Sequence, residues 1–327
     1  MDLWSLGDLT TPWCLRVVVT LRVAEHLAAG VTGLDDLAAA CGAHAESLQR
    51  VMRHLAGVGV FEEPSPGRFV LNDAARGLLD SSMRLGLDLE GFGGRMTFAW
   101  GSLLSAVKSG TASYHEIFGR PFWEDLDAHP RIAEEFDALM GPAGHGTPDP
   151  DVLPGDDWDA VRTVVDVGGG TGALLAEVLR AHPDVRGVLV DLPRPVAASR
   201  ATFTAAGVAD RASAVAQSFF DPLPRGGDVY LLKSVLSDWP DAEAIAILRR
   251  CAEAARPAGR VMILNGVSPD TVEPPADILM MVLVGGKSRT LAEFRPLAAS
   301  AGLQVARAER RPSGRFLVEC RPAPSGA

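Results

Sequence analysis

The chain has 327 residues, 47% of them hydrophobic, and a formal net charge of −10, which is enough apolar material for one large or two ordinary domains folding without covalent staples. So acidic a chain, with no block of basic residues, is a poor partner for nucleic acid or another polyanion. Cys14, Cys41, Cys251 and Cys320 are scattered with no CxxC or other metal spacing, so no metal is expected and a reduced, cytoplasmic setting is the simplest reading.

The opening stretch MDLWSLGDLT carries acids where a signal peptide would be basic, and no apolar run approaches the length of a bilayer. Neither secretion nor membrane insertion is expected from it. Between Pro12 and Ala29 the apolar residues Leu15, Val18, Val19, Val23 and Leu27 recur at helical spacing ahead of Gly30, which predicts one helix with a glycine cap. GLDDLAAACG and AESLQRVMRHLAGVGVF then give two shorter helical patterns, and FEEPSPGRFVL a charged hairpin. Helix, turn, helix and wing together read as a winged-helix module. Arg50, Arg53 and His54 on its second helix are too few to carry the phosphate contacts of a DNA-binding element in this acidic a chain.

Residues 91–140 are rich in aromatics, among them Phe92, Phe98, Trp100, Phe122, Trp123 and Phe136. Most are expected in the core, but a flat apolar ligand would be held among such side chains between domains. From Gly141 to Asp157, four prolines and four glycines in seventeen residues exclude a continuous helix, and this stretch, which carries His145, reads as a loop or lid. Beyond Trp158, apolar strand patterns at 163–167, 188–191, 213–217, 228–232 and 260–264 alternate with helical ones. A last pair near 303–308 and 315–320 reads as a hairpin. That alternation calls for an α/β, Rossmann-like, doubly wound sheet, mostly parallel with an antiparallel end. The chain is thus divided into 1–90, the winged-helix domain; 91–157, connecting helices and loop; and 158–327, the Rossmann-like domain.

The densest signal is TVVDVGGGTG at 163–172. Asp166 ends an apolar strand, Gly168, Gly170 and Gly172 follow at GxGxG spacing, and an amphipathic helix opens at Ala173. Glycines serve where backbone takes positive φ or approaches a ligand closely, and the new helix presents free N–H groups. About twenty residues on, Asp191 ends a second strand, placed to accept from ribose hydroxyls. The turn lacks the GxGxxG spacing of dinucleotide-binding folds.

With VLVDLP at 188–193, SFFDPLP at 218–224, YLLKSVLSDWPD at 230–241 and LVGGKSRTLAEF at 283–294, the chain resembles the class I S-adenosylmethionine-dependent methyltransferases. It is most similar to the two-domain small-molecule O-methyltransferases of plant and bacterial secondary metabolism, over nearly its whole length. The resemblance implies a winged-helix domain used for homodimer formation instead of DNA binding. It also implies S-adenosylmethionine or S-adenosylhomocysteine as cofactor, held by Asp166, Gly168, Gly170, Gly172, Asp191, Leu192, Ser218, Phe219, Lys233 and Ser234. In that scheme Asp191 faces the ribose and Phe219 the adenine. Trp100, Phe122, Met140, Met280 and Met281 are the expected substrate walls.

Set against that family, the chain departs at the base. Phenol-methylating members usually read HDW where this chain has Ser237-Asp238-Trp239, and the two acids that usually support the histidine are replaced by Asn265 and Ser288. Ser237, Asp238 and His145 are the remaining catalytic candidates. A general base adds about 10²–10⁴-fold and is dispensable for an acceptor already ionised. The sequence therefore points to methyl transfer onto an aromatic or polyketide-like small molecule by proximity and orientation. The alternative is an enzyme that binds the same cofactor without methylating, such as a tailoring hydroxylase or cyclase.

Overall fold

The structure is a computed structural model, and it describes residues 2–140, 158–311 and 314–323. The chain divides into two compact units, Met1–Phe98 with His129–Leu139, and Ala99–Ala128 with Met140–Ala327. Among the described residues no helix is long and apolar enough to cross a membrane.

In the first unit the helices Thr10–Thr20, Val23–Ala28, Leu34–Cys41 and Ala45–Gly57 precede a hairpin of β1 (Phe61–Ser65) and β2 (Arg68–Leu71). Val18, Leu37, Leu48, Met52, Leu55, Phe61 and Phe69 form its core. One helix was expected from Pro12 to Ala29; two are found, because Arg22 takes a left-handed φ of 58° between them. The strained residue is anchored by its guanidinium on Glu25, 2.9 Å away, and a left-handed non-glycine residue ends a helix as surely as a glycine does. On the helix Ala45–Gly57, Arg53 is paired with Glu63 of the wing at 3.1 Å and the His54 ring bonds the Thr11 hydroxyl at 2.7 Å. Two of its three basic groups are thereby committed within the unit.

The second unit is built on β3 (Thr163–Val167), β4 (Arg186–Asp191), β5 (Ala212–Ala216), β6 (Val229–Lys233), β7 (Arg260–Leu264), β10 (Leu303–Arg310) and β11 (Phe316–Pro322). Their order is β10-β11-β7-β6-β3-β4-β5, parallel except that β11 runs antiparallel to both neighbours. A small parallel ladder of β8 (Val267–Ser268) and β9 (Arg289–Thr290) lies outside it. This is the α/β class expected, with the antiparallel end where the terminal hairpin was read.

Both faces of the sheet are covered, and the strands show it. Val165, Tyr230 and Leu232 pack on the side of the helices Asp241–Ala255 and Leu291–Ser300, while Val164, Val229 and Leu231 pack with Leu175 and Leu179 of the helix Ala173–Ala181. Alternate side chains along a strand point to opposite faces, so a strand buried on both sides reads as an unbroken apolar run. From β3 the chain winds outward to β4 and β5, then returns to lay β6 on the other side of β3. Ligands in open α/β sheets sit at such a switch point, outside the carboxyl ends of the strands.

Candidate active site

The carboxyl end of β3 runs straight into the glycine turn. Gly168, Gly170 and Gly172 all have positive φ, at 71°, 61° and 81°. A Cβ on Gly168 would lie 2.8 Å from the Val235 side chain, and one on Gly172 2.7 Å from the Phe203 ring. Larger residues are excluded at these two positions by conformation and by space. The turn is tied to its neighbours by Gly168 N–H donating to the Val190 carbonyl and Gly170 N–H donating to Asp191 Oδ2, at 2.8 and 2.7 Å.

Two acids flank this turn in different states. Asp166 is 1% exposed, and its Oδ2 has no hydrogen-bond partner among the described residues. Burial first, and then the charge of Asp191, push its carboxyl up to about 7, against a smaller downward pull from Lys233. Asp191 is half-buried and accepts from Gly170 N–H and from Leu192 N–H, each at 2.7 Å. Leu192 occupies the N-cap position of the helix Pro193–Ala205 that follows, with no side-chain capping bond.

Around the turn stand the other cofactor candidates. Ser218 Oγ accepts from Phe220 N–H at 3.2 Å, shaping the bend that presents Phe219. The Phe219 ring lies 3.4 Å from where a Gly168 Cβ would be, and meets Trp239 edge-on at 5.8 Å. Lys233 ends β6 and Ser234 follows it; Ser234 has a φ of 56°, and its hydroxyl accepts from Asn265 Nδ2 at 2.8 Å. Asn265 itself has a φ of 63°. Left-handed non-glycine residues cost free energy and gather where a site over-determines the backbone; Asp277, with a φ of 47°, is a third here.

After Val235, whose side chain packs against Gly168, a short 3₁₀ turn spans Leu236–Asp238 and carries Ser237 and Asp238. Asp238 is half-buried, and its carboxyl is raised to about 7 by burial first, with Ser237 bonding to it in opposition and the charge of Asp277 reinforcing the rise. Asp277 caps the helix Ile278–Leu283, and its Oδ2 accepts from Ser288 N–H at 2.8 Å. Gly286 closes over the turn so tightly that a Cβ on it would lie 2.1 Å from the Ser237 carbonyl oxygen.

Of the expected substrate walls, Met280 and Met281 are half-buried on the helix Ile278–Leu283, which packs against the turn Trp100–Ser102 and the helix Leu103–Ser109. Ser113 N–H donates to the Val282 carbonyl at 3.0 Å, fixing that junction. Trp100 and Met140 are each 43% exposed. Phe122 is buried against Tyr114, ring to ring at 5.4 Å, so its place is in an aromatic core that supports the wall. His145 lies outside the described residues.

Arg289, Asp277 and Gly286 were not singled out from the sequence. Arg289 sits beside Ser288 in GGKSR, where an arginine ordinarily reads as solvated; here it is 1% exposed beneath the Ser237–Asp238 turn.

An O-methyltransferase domain family matches residues 100–304, and an O-methyltransferase dimerisation domain family matches residues 5–81. The 2,7-dihydroxy-5-methyl-1-naphthoate 7-O-methyltransferase of Streptomyces carzinostaticus is 42% identical over 93% of both chains. Aclacinomycin 10-hydroxylase RdmB of Streptomyces purpurascens is 40% identical, over 92% of this chain and 83% of that protein. Among solved structures, the O-methyltransferase NcsB1 from neocarzinostatin biosynthesis, in complex with S-adenosylmethionine and 2-hydroxy-5-methyl naphthoic acid, superimposes with a TM-score of 0.91. It is 40% identical, over 98% of this chain and 99% of that one.

Proposed function

The chain belongs to the family of two-domain, S-adenosylmethionine-dependent O-methyltransferases, and on that premise we propose that it methylates an aromatic or polyketide-like small molecule of secondary metabolism without the usual histidine base. One observation carries the reading: Val235, the residue that leads into the Leu236–Asp238 turn, packs against Gly168 of the glycine turn, so a nucleoside on the first turn and a flat acceptor on the second would be neighbours.

The described residues fit the cofactor. Gly168 and Gly172 hold a left-handed turn packed against Val235 and Phe203, a Cβ on Gly170 would meet nothing within 4 Å, Asp166 keeps a buried oxygen without a partner, and Asp191 ends its strand bonded to the turn. When bound, S-adenosylmethionine supplies an electrophilic methyl group on a sulfonium sulfur. The chain's own work is then to hold an acceptor in line with that methyl, and orientation of this kind contributes on the order of 7–11 kcal/mol in favourable cases. Met280, Met281 and Trp100 supply apolar surface for a flat ring. Ser237 stands where the usual member has histidine, and a serine hydroxyl cannot take a phenol proton; it orients the acceptor. Asp238, with its carboxyl raised to about 7, takes the proton of an acceptor that arrives un-ionised. The dimerisation domain supports a homodimer as the working form.

The replaced base triad, Ser237, Asn265 and Ser288, together with a hydroxylase among the relatives, favours a second reading in which the cofactor serves as a fixed charge for a tailoring hydroxylation. Incubation with S-adenosylmethionine, dioxygen as oxidant, a thiol reductant that takes its second oxygen atom to water, and a panel of hydroxynaphthoates decides between them. Product heavier by one methyl group, with S-adenosylhomocysteine formed in equal amount, supports methyl transfer. Hydroxylated product with no S-adenosylhomocysteine supports the second reading.

A further inference from the structure

We propose that Arg289 is a positioning residue: its buried guanidinium holds the turn Leu236–Trp239, and with it Ser237 and Asp238, in the geometry that faces the methyl acceptor. This rests on the assignment of that turn to the acceptor side made above.

Every N–H of Arg289 is engaged. Nε donates to Asp241 Oδ1 at 2.9 Å, Nη1 to the Leu236 carbonyl at 2.8 Å and the Lys287 carbonyl at 3.1 Å, and Nη2 to the Trp239 carbonyl at 2.8 Å, with Nη2 also ion-paired to Asp241 Oδ1 at 2.8 Å. The carbonyls of Leu236 and Trp239 bracket Ser237 and Asp238 on either side. A guanidinium is a rigid planar fork, so two of its arms fix the spacing of those carbonyls as well as their positions. Lysine has three donors on a flexible stem and cannot reproduce this set.

The clamp is closed from its other end. Arg289 N–H donates to the Gly266 carbonyl at 2.9 Å, Lys287 Nζ pairs with Asp241 Oδ2 at 3.3 Å, and Gly286 lies flat on the Ser237 and Asp238 backbone. Asp241 opens the helix Asp241–Ala255, so the arginine ties the turn to the first residue of the helix that covers the sheet. A charge this deeply buried is retained where it is fully bonded, and its removal leaves carbonyls of the turn without donors. The Arg289 side chain bonds the Leu236, Lys287 and Trp239 carbonyls and Asp241, none of them a residue of the glycine turn.

The test is Arg289→Lys in the full chain, with Asp241→Asn as a milder second variant that removes the carboxylate partner. Hydrogen–deuterium exchange of the segment 234–241 is predicted to accelerate in both variants, while the segment 163–172 keeps its protection. The Asp238 carboxyl, followed by carbon NMR, is predicted to fall from about 7 toward the ordinary carboxylate range as water enters. For methyl transfer, kcat is predicted to drop roughly 10²-fold in Arg289→Lys, the loss a displacement of about 1 Å can cause, with KM for S-adenosylmethionine changed less than about two-fold. Unchanged exchange in 234–241 and an unchanged Asp238 titration in both variants overturn the proposal. A wild-type chain that transfers no methyl group overturns the functional reading instead, and the exchange and titration results still decide the role of Arg289.

Discussion

Asp166 and Asp191 stand at the carboxyl ends of adjacent parallel strands in one crevice, yet one is buried with Oδ2 lacking a hydrogen-bond partner among the described residues while the other accepts from two main-chain amides at 2.7 Å. Asp191 builds the turn, and Asp166 is held in reserve beneath it. An unsatisfied buried polar group is costly, and we propose that this one is kept for a ligand.

That arrangement has a measurable pH signature. An acid raised from 3.8 to about 7 keeps a proton in the folded chain that the unfolded chain has lost, so the stability this group contributes is complete below its unfolded pKa. It declines as pH rises through the window between the two values and is level above it. At about 1.36 kcal/mol per unit, the full swing is on the order of 4 kcal/mol. Asp166→Asn is predicted to flatten the stability curve between pH 4 and 7, to raise Tm at pH 8, and to weaken binding of S-adenosylhomocysteine. Thermal unfolding at a series of pH values, with the nucleoside absent, checks this; a variant less stable than wild type at pH 8 contradicts it.

Asp238 is the second raised acid, lifted to about 7 by burial with Asp277 adding to it. As proton acceptor it must be ionised, so kcat/KM for an un-ionised phenol is predicted to rise with pH through about 7. In Asp238→Asn that limb disappears and kcat falls roughly 10²-fold, the lower end of what a general base contributes. Ser237→Ala, which removes only an orienting hydroxyl, is predicted to cost less than about ten-fold and to keep the limb. A limb that survives in Asp238→Asn assigns the titration to another group.

Gly286→Ala places a Cβ 2.1 Å from the Ser237 carbonyl oxygen and 2.5 Å from the Asp238 carbonyl carbon. Both obstacles are backbone, which cannot swing aside. Overpacking of this kind costs typically 1–3 kcal/mol, or a few degrees of Tm at this size. We expect kcat to fall more than KM rises, because the displaced atoms are those that hold Ser237 and Asp238. Calorimetry together with steady-state kinetics reads both effects, and unaltered kinetics in a folded variant would contradict this account of the turn.

The N-terminal unit leaves Leu3, Trp4, Leu6 and Leu9 at 77%, 90%, 67% and 63% exposure, an apolar run that needs cover in water. With a dimerisation domain matched over residues 5–81, sedimentation is predicted to give twice the 34.5 kDa chain mass, and Trp4→Ser with Leu6→Ser to shift the protein toward monomer. No DNA retardation is expected, since Arg53 and His54 are committed to Glu63 and Thr11. A wild-type monomer at micromolar concentration contradicts the assignment.

The sheet was legible because strands buried on both faces leave unbroken β-branched and apolar runs, as in TVVDV and VYLLK. The glycine turn was legible because positive φ leaves its trace in residue type. The break at Arg22 was not, since an arginine in a left-handed conformation leaves no mark on helical spacing. Nor was the acceptor side legible beyond Ser237 and Asp238. Arg289 reads as a surface residue, and its burial follows from carbonyls that only the folded turn brings together. Asp277 reads as an ordinary helix start, whereas its effect on Asp238 depends on proximity across 39 positions of chain.

Titration of S-adenosylhomocysteine into the full chain by isothermal calorimetry tests most directly whether the carboxyl-terminal unit holds the sulfonium nucleoside. We predict saturable binding at one site per chain, abolished by Gly168→Ala, whose Cβ would stand 2.8 Å from Val235. No heat of binding up to millimolar nucleoside, or equal binding by the Gly168→Ala variant, would contradict it.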